Sequence, residues 1–264
     1  MSAEFDSYNT SYEVLHNQNL AILGAESREF LYAKLIRCER LAARYFDSTT
    51  SVKTFLDYGC GTGRFGHEFH TYFDSSWNYV GVDQSPACIK EAKQLYASRS
   101  IQSSSNNEPL FFDLDAWSES AASYDFILAA CVFHHIEPDH RQFVLRKLWK
   151  LLKPTGVILI WEHNPWNPLT RKIVKECVFD KNACLLSVTE MYGLWRDSIT
   201  EGKTAFRFVT FFPGVLRSLQ KVEPLLGWLP LGGQWIFWIK KGDPKTARAN
   251  YSRPRTTLNV PTEE

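Results

Sequence analysis

Apolar and polar positions along the chain change rhythm twice, and each change marks a different kind of structure. Over about residues 20–47, Phe30, Leu31, Leu35, Ile36, Leu41 and Tyr45 fall at three- and four-residue steps, which predicts a helix. From residue 52 short apolar runs alternate with amphipathic stretches. Runs at 52–56, 79–82, 110–112, 124–129 and 157–161 read as strands. Helices are expected over 64–73, 86–97 and 139–152, with Ser85 as N-cap and Pro86 in the first helical position of the second, and Pro154 stopping the third. The unbroken apolar character of 157–161 predicts a strand buried on both faces. Strands and helices alternating at this spacing predict a parallel sheet with right-handed crossovers.

After Glu162 the alternation breaks. Residues 162–186 show little period and read as an inserted, substrate-side segment. Ser187-Val188-Thr189-Glu190 is a capping-box pattern for one more helix. Residues 206–212 and 234–240 read as two further strands, joined by an apolar connection over 214–233. The Ser-rich stretch 98–107 reads as a surface loop, and the polar tail 242–264 as disordered.

Composition narrows the setting. The chain has 264 residues, 44% hydrophobic, enough for one substantial core. Its 30 basic and 29 acidic residues leave a formal net charge of +1, so no global field attracts nucleic acid or an anionic membrane. The six cysteines form no C-x-x-C pair, and a reducing cytoplasm is the simplest setting. The N-terminus lacks a basic start followed by an apolar core, so no signal peptide is expected, and no apolar run reaches the roughly 20 residues of a membrane span.

The loop after the first strand carries the chemistry. In Asp57-Tyr58-Gly59-Cys60-Gly61-Thr62-Gly63, alternate glycines let backbone turn sharply and approach a ligand, and the following helix offers free N–H groups. Twenty residues beyond Gly63, Asp83 ends the second strand, where a carboxylate can accept both hydroxyls of a ribose. A dinucleotide fingerprint, G-x-G-x-x-G, would need glycine at position 64, where Arg64 stands. Asp57, two residues before the first glycine, suits a cationic amino group better than a pyrophosphate. The pattern therefore favours S-adenosylmethionine over NAD.

Five motifs in order then resemble the class I S-adenosylmethionine-dependent methyltransferases, of bacterial small-molecule type. The 57–63 loop is similar to the first motif, and Gly81-Val82-Asp83-Gln84-Ser85 to the ribose-binding second. Phe112-Asp113-Leu114 resembles the adenine-contacting turn. Tyr124 to Ala130, followed by His134-His135-Ile136, resembles the fourth motif, and Leu152-Lys153-Pro154-Thr155-Gly156 resembles the run into the fifth strand, with Thr155 in place of a glycine. The resemblance is strong over about 50–165. It implies a doubly wound α/β fold: a seven-stranded, mostly parallel sheet with an antiparallel last strand and an N-terminal helical cap. The expected organisation is a cap over 1–50, a methyltransferase domain over 51–241 with insertions at 162–186 and 213–233, and the tail. It also implies a cofactor site of Asp57, Gly59, Cys60, Gly61, Gly63, Asp83, Gln84, Asp113, Leu114 and Ala130.

Catalytic candidates follow from where the transferred methyl should lie, over the ends of strands four and five: His134, His135, Glu162 and His163. Glu162 and His163 are expected to form a base and its orienting partner. No metal is expected. Asn164-Pro165-Trp166-Asn167-Pro168 superficially resembles an amino-methylating signature but follows the wrong strand; it reads as Asx-Pro turns that also shape the acceptor pocket. The apolar loop 224–231 could close over the site, admit a hydrophobic acceptor or touch a membrane surface. Methyl transfer to a hydroxyl of a small-molecule or lipid-linked acceptor is the leading expectation. Carbon methylation of an aromatic or quinone-like acceptor is the alternative, and a non-catalytic subunit of the same fold the alternative of another class.

Overall fold

The computed structural model describes residues 27–46, 51–100, 108–118, 123–177, 180–199, 201–212 and 214–242. The helical cap before residue 27, most of the Ser-rich loop and the tail from 243 lie outside the described residues. The elements are α1 (Ser27–Tyr45), β1 (Lys53–Tyr58), α2 (Arg64–Tyr72), β2 (Trp77–Asp83), α3 (Pro86–Ser100), β3 (Leu110–Asp113), β4 (Tyr124–Ala130) and a 3₁₀ turn (Phe133–His135). They continue with α4 (Pro138–Leu151), β5 (Leu152–His163), α5 (Pro168–Glu176), α6 (Val188–Ser198), β6 (Lys203–Val209), a 3₁₀ helix (Gly214–Val222), α7 (Glu223–Leu226) and β7 (Gln234–Lys240). The strand order is β3-β2-β1-β4-β5-β7-β6. This is the doubly wound arrangement expected, with seven strands and an antiparallel last one.

The chain divides into two compact units. In the first, β1, β2 and β3 pair in parallel, and the register sets Asp57 beside Gly81 and Asp83 beside Asp113. Two acidic residues thus stand together at the carboxyl ends of neighbouring strands, where α/β sheets bind ligands. Below them Phe55 is fully buried, its ring 5.1–6.5 Å from those of Phe65, Phe69, Phe73, Trp77 and Tyr79. Aromatic rings from β1, α2 and β2 therefore fill the space between helix and sheet at the tilted and stacked angles such rings prefer.

In the second unit β4 and β5 are parallel, and β7 runs antiparallel between β5 and β6. β5 is almost entirely buried from Val157 to Glu162, as its unbroken apolar run predicts. The capping box forms: Ser187 Oγ accepts the Glu190 N–H at 3.2 Å while Glu190 Oε2 accepts the Ser187 N–H at 2.6 Å.

One expectation is extended and one corrected. Within 162–186, where the sequence shows little period, α5 starts at Pro168 with Asn167 Oδ1 accepting the N–H groups of Leu169 (2.9 Å) and Thr170 (3.0 Å). β6 covers 203–209 rather than 206–212. Thr210 takes a left-handed φ of 65°, and the next amides leave the ladder: Glu223 accepts the N–H of Thr210 at 3.0 Å and of Phe211 at 3.2 Å.

Phe55→Ala should lower stability by about 3–5 kcal/mol through the lost burial and the cavity left among five rings. Thermal and urea unfolding of the two proteins would measure it; equal midpoints would contradict this account of the first unit.

Candidate functional site

The cofactor loop is shaped by three left-handed glycines, Gly59 (φ 82°), Gly61 (φ 53°) and Gly63 (φ 72°). At Gly63 a Cβ would also lie 2.6 Å from the Ala92 side chain, so α2 begins where only glycine fits. At Gly61 nothing stands within 4 Å of where a Cβ would be, which leaves bare backbone open to a ligand. The loop is braced from β2, with the Val82 carbonyl accepting the N–H of Gly59 (2.8 Å) and of Cys60 (3.0 Å). Asp83 accepts the Gly61 N–H on Oδ2 at 2.8 Å and the Ser85 N–H on Oδ1 at 2.9 Å. The Gln84 amide also bears on this carboxylate, and what acceptor capacity remains is available to a ribose hydroxyl. Burial is the strongest influence on Asp83 and raises its carboxyl above the ordinary value despite these amides.

Asp57 is buried, and its Oδ2 accepts the Tyr79 hydroxyl at 2.7 Å. Burial dominates here too and carries its carboxyl from 3.8 to about 6, with Tyr79 and Lys34 pulling the other way and Asp83 adding to the rise. The thiol of Cys60, also buried, is pushed up by burial and by the carboxylates of Asp57 and Asp83, so Cys60 serves the loop through its backbone. Leu114, just past β3, donates its N–H to the Asp83 carbonyl at 2.8 Å. Asp113 Oδ1 accepts the Asp115 N–H at 3.0 Å, which fixes that turn. Gln84 is exposed between Asp83 and Ser85.

In the second unit Glu162 and His134 are buried together, 0% and 1% exposed, with Glu162 Oε2 2.5 Å from His134 Nδ1. The other carboxylate oxygen accepts two backbone N–H groups, from Val132 at 2.8 Å and Phe133 at 2.6 Å. Burial alone would raise the Glu162 carboxyl. The charge and hydrogen bond of His134, the charge of His163 and the Phe133 amide outweigh it and hold the group below the usual carboxylate range. An ionised Glu162 accepts on both oxygens, which puts the proton of a neutral His134 on Nδ1 and the lone pair on Nε2. His135 and His163, both half-buried, flank this histidine with ring centroids 4.1 and 5.2 Å away. The sequence expectation paired Glu162 with His163; the structure bonds it instead to His134, 28 residues away. Side chains of neighbouring strand residues leave on opposite faces, so adjacency along β5 was a poor guide to contact.

Three supports of this corner were not found in the sequence. Cys131 follows β4, and Ala130 at its half-buried end, in a left-handed conformation (φ 59°), with its N–H donated to the Trp161 carbonyl at 2.7 Å. That bend aims the next two amides at Glu162. Arg141 is buried in α4, and its Nε donates to the carbonyls of Phe133 and Ile136, both at 3.0 Å, while its guanidinium also reaches the Cys184 carbonyl. The backbone amides of Val132 and Phe133 leave no sequence signature at all, and a basic residue on a helix is ordinarily solvated.

A methyltransferase-domain family pattern matches residues 56–158, which span the glycine loop, Asp83, the His134 turn and most of β5. Residues 56–158 carry a methyltransferase domain, within a sheet of the class I S-adenosylmethionine-dependent methyltransferase fold. The structure also resembles a methyltransferase of Thermotoga maritima described as a possible histamine N-methyltransferase, at 17% identity and TM-score 0.59, covering 91% of this chain and 99% of that one. A methyltransferase of Archaeoglobus fulgidus matches at 17% identity and TM-score 0.57, over 82% of this chain and 95% of the other. The phosphoethanolamine N-methyltransferase 2 of Haemonchus contortus, seen with phosphomonomethylethanolamine and S-adenosylhomocysteine, matches at 15% identity and TM-score 0.53, over 78% and 52%. At such identities the likeness is one of fold. No curated protein matches the sequence.

The methyltransferase is an enzyme whose cofactor is S-adenosylmethionine, and the residues present fit that group. The open backbone at Gly61 and the carboxylate of Asp83 lie at the carboxyl ends of β1 and β2. Asp57 contributes negative potential from beneath the loop rather than an exposed carboxylate. Because its carboxyl titrates near 3.8 when unfolded and about 6 when folded, the native state holds more protons between those values. Its contribution therefore makes stability fall as pH rises from about 4 to about 6. Asp57→Asn, which keeps an acceptor for Tyr79, should flatten that part of the profile. Thermal midpoints from pH 4 to pH 7 would show it, and an unchanged slope would count against the burial of this charge.

Proposed function

We propose that the methyltransferase methylates a hydroxyl of a small-molecule or lipid-linked acceptor, with His134 as general base and Glu162 as the residue that positions it. The observation that carries this reading is the buried 2.5 Å contact between Glu162 and His134 Nδ1. Bound S-adenosylmethionine supplies a methyl group made electrophilic by its sulfonium. An un-ionised hydroxyl is a weak nucleophile, and its proton must leave as the new bond forms. His134 Nε2 takes that proton, and the Glu162 carboxylate stabilises the imidazolium that results. His135 and His163 line the acceptor side and carry the proton onward to water. Gly59, Gly61 and Gly63 present backbone to the methionine part of the cofactor. Asp83 would hold the ribose, and Asp113 and Leu114 would meet the adenine.

A cytoplasmic setting belongs to the same proposal and is supported by six cysteines, none of them in a disulfide among the described residues. The lipid-linked form of the acceptor and peripheral contact through residues 224–231 draw support from exposed Leu225, Trp228 and Leu231. Among the described residues no helix is long and apolar enough to cross a membrane.

Incubating the enzyme with methyl-tritiated cofactor and fractionated host extract, then identifying the labelled product by mass spectrometry, tests the acceptor class. A methyl ether is expected; a methyl ester, or label on carbon or nitrogen, overturns the hydroxyl assignment. Glu162→Gln keeps an acceptor for the two amides but can donate to His134 Nδ1, which moves the imidazole proton to Nε2. Turnover should fall roughly 10²–10⁴-fold with cofactor affinity unchanged, the range for losing a general base. The acidic limb of the pH–rate profile, where the base becomes protonated, should move as well, a change that loosened packing alone would not produce. Wild-type turnover in this variant would remove His134 from the mechanism.

A further inference from the structure

From Leu216 to Leu231 the chain turns an apolar side chain to solvent at every third position: Leu216, Leu219, Val222, Leu225, Trp228 and Leu231 are all exposed, Leu225 at 74% and Trp228 at 65%. The first three lie on the 3₁₀ helix Gly214–Val222, in which residues three apart eclipse, so they form one row. A second apolar pair, exposed Trp166 and Leu169, is pinned beside the end of that row. Asn164 Nδ2 donates to the carbonyls of Pro230 (3.1 Å) and Gly232 (2.8 Å), Asn167 Nδ2 to that of Leu231 (2.7 Å), and Thr170 Oγ1 to that of Gly233 (2.8 Å). The Asn-Pro-x-Asn-Pro string is thus a clasp holding two apolar segments in one surface.

Within the 214–233 segment no acidic side chain faces solvent among the described residues. Glu223, the acidic residue of the 214–233 segment, is buried with its oxygens spent on the Thr210 and Phe211 amides. Lys221 is exposed on the segment itself, and Arg171 and Lys172 are exposed just after Leu169. Leucine and tryptophan outward, acid turned inward and cations at the border match the chemistry of a negatively charged lipid interface. We propose that this surface docks the enzyme on an anionic phospholipid bilayer, with Leu225, Trp228 and Leu231 entering the headgroup–acyl boundary and Lys221, Arg171 and Lys172 meeting phosphates. Docking deepens the lipid-linked form of the acceptor proposed above, but it does not depend on which atom is methylated.

The test is co-sedimentation of the full chain with phosphatidylcholine vesicles, with and without phosphatidylglycerol, alongside calorimetry with S-adenosylmethionine. Binding is expected to phosphatidylglycerol vesicles, to weaken with salt, and to be at least about tenfold weaker to neutral vesicles. The double variant Leu225→Ser with Trp228→Ser should bind at least about tenfold more weakly, since each side chain loses apolar burial in the interface. Lys221→Glu should weaken binding further at low salt than at high. Cofactor affinity should stay at the wild-type value in every variant, because none of these residues belongs to the glycine loop. Absence of binding to anionic vesicles, equal binding to neutral ones, or binding untouched by the double variant overturns the proposal. So does a dimer in solution that Trp228→Ser breaks without any vesicle binding, which would make a second copy the occupant. Vesicle binding without cofactor binding would leave docking standing and strike the methyltransferase reading instead.

Discussion

A carboxylate buried with no access to water must be satisfied by the protein around it, and Glu162 sets the terms for the corner where β4 and β5 end. Leaving such a charge unpaired costs several kcal/mol. Three of its acceptor sites are met, by two backbone amides and an imidazole. Satisfying them requires Cys131 to adopt a left-handed conformation and Arg141 to be buried behind the 3₁₀ turn. These features are costly singly and make sense together: strain at Cys131 is what brings the Val132 and Phe133 amides onto Glu162. The reward is a histidine with one nitrogen committed and its tautomer fixed.

The cofactor loop rests on a different economy. Its turns come from three left-handed glycines, and its rigidity comes from β2, through the Val82 carbonyl and the Asp83 carboxylate. Asp83 therefore has two duties, bracing the Gly61 amide and leaving what acceptor capacity remains to a ribose hydroxyl. Asp57 works from below. Burial raises its carboxyl to about 6, so a charge placed there is held against its own preference and stands ready to stabilise a cation bound above the loop.

Local patterns made the loop, the strand ends and the capping box of α6 legible in the sequence, because each depends on residues within a few positions of one another. What escaped was set by distant partners. Glu162 beside His163 suggested a pair, yet its partner came from the turn after β4. Phe211 and Phe212 extended an apolar run past the true end of β6, where Thr210 turns the chain and Glu223 captures its amides. The outward row from Leu216 to Leu231 was hidden for another reason: it repeats every three residues, a period that neither a helix nor a strand search seeks. Asn164-Pro165-Trp166-Asn167-Pro168 was readable as turns, while its grip on residues 230–233 was not.

The central claim is that Glu162 fixes the proton of neutral His134 on Nδ1. Long-range proton–nitrogen correlation spectra of histidine-labelled enzyme, recorded across the titration of its imidazoles, measure this directly. On the neutral limb His134 should show a protonated Nδ1 and a bare Nε2, and that pattern should be lost in Glu162→Gln. A His134 that carries its proton on Nε2 in the wild-type enzyme would contradict the account.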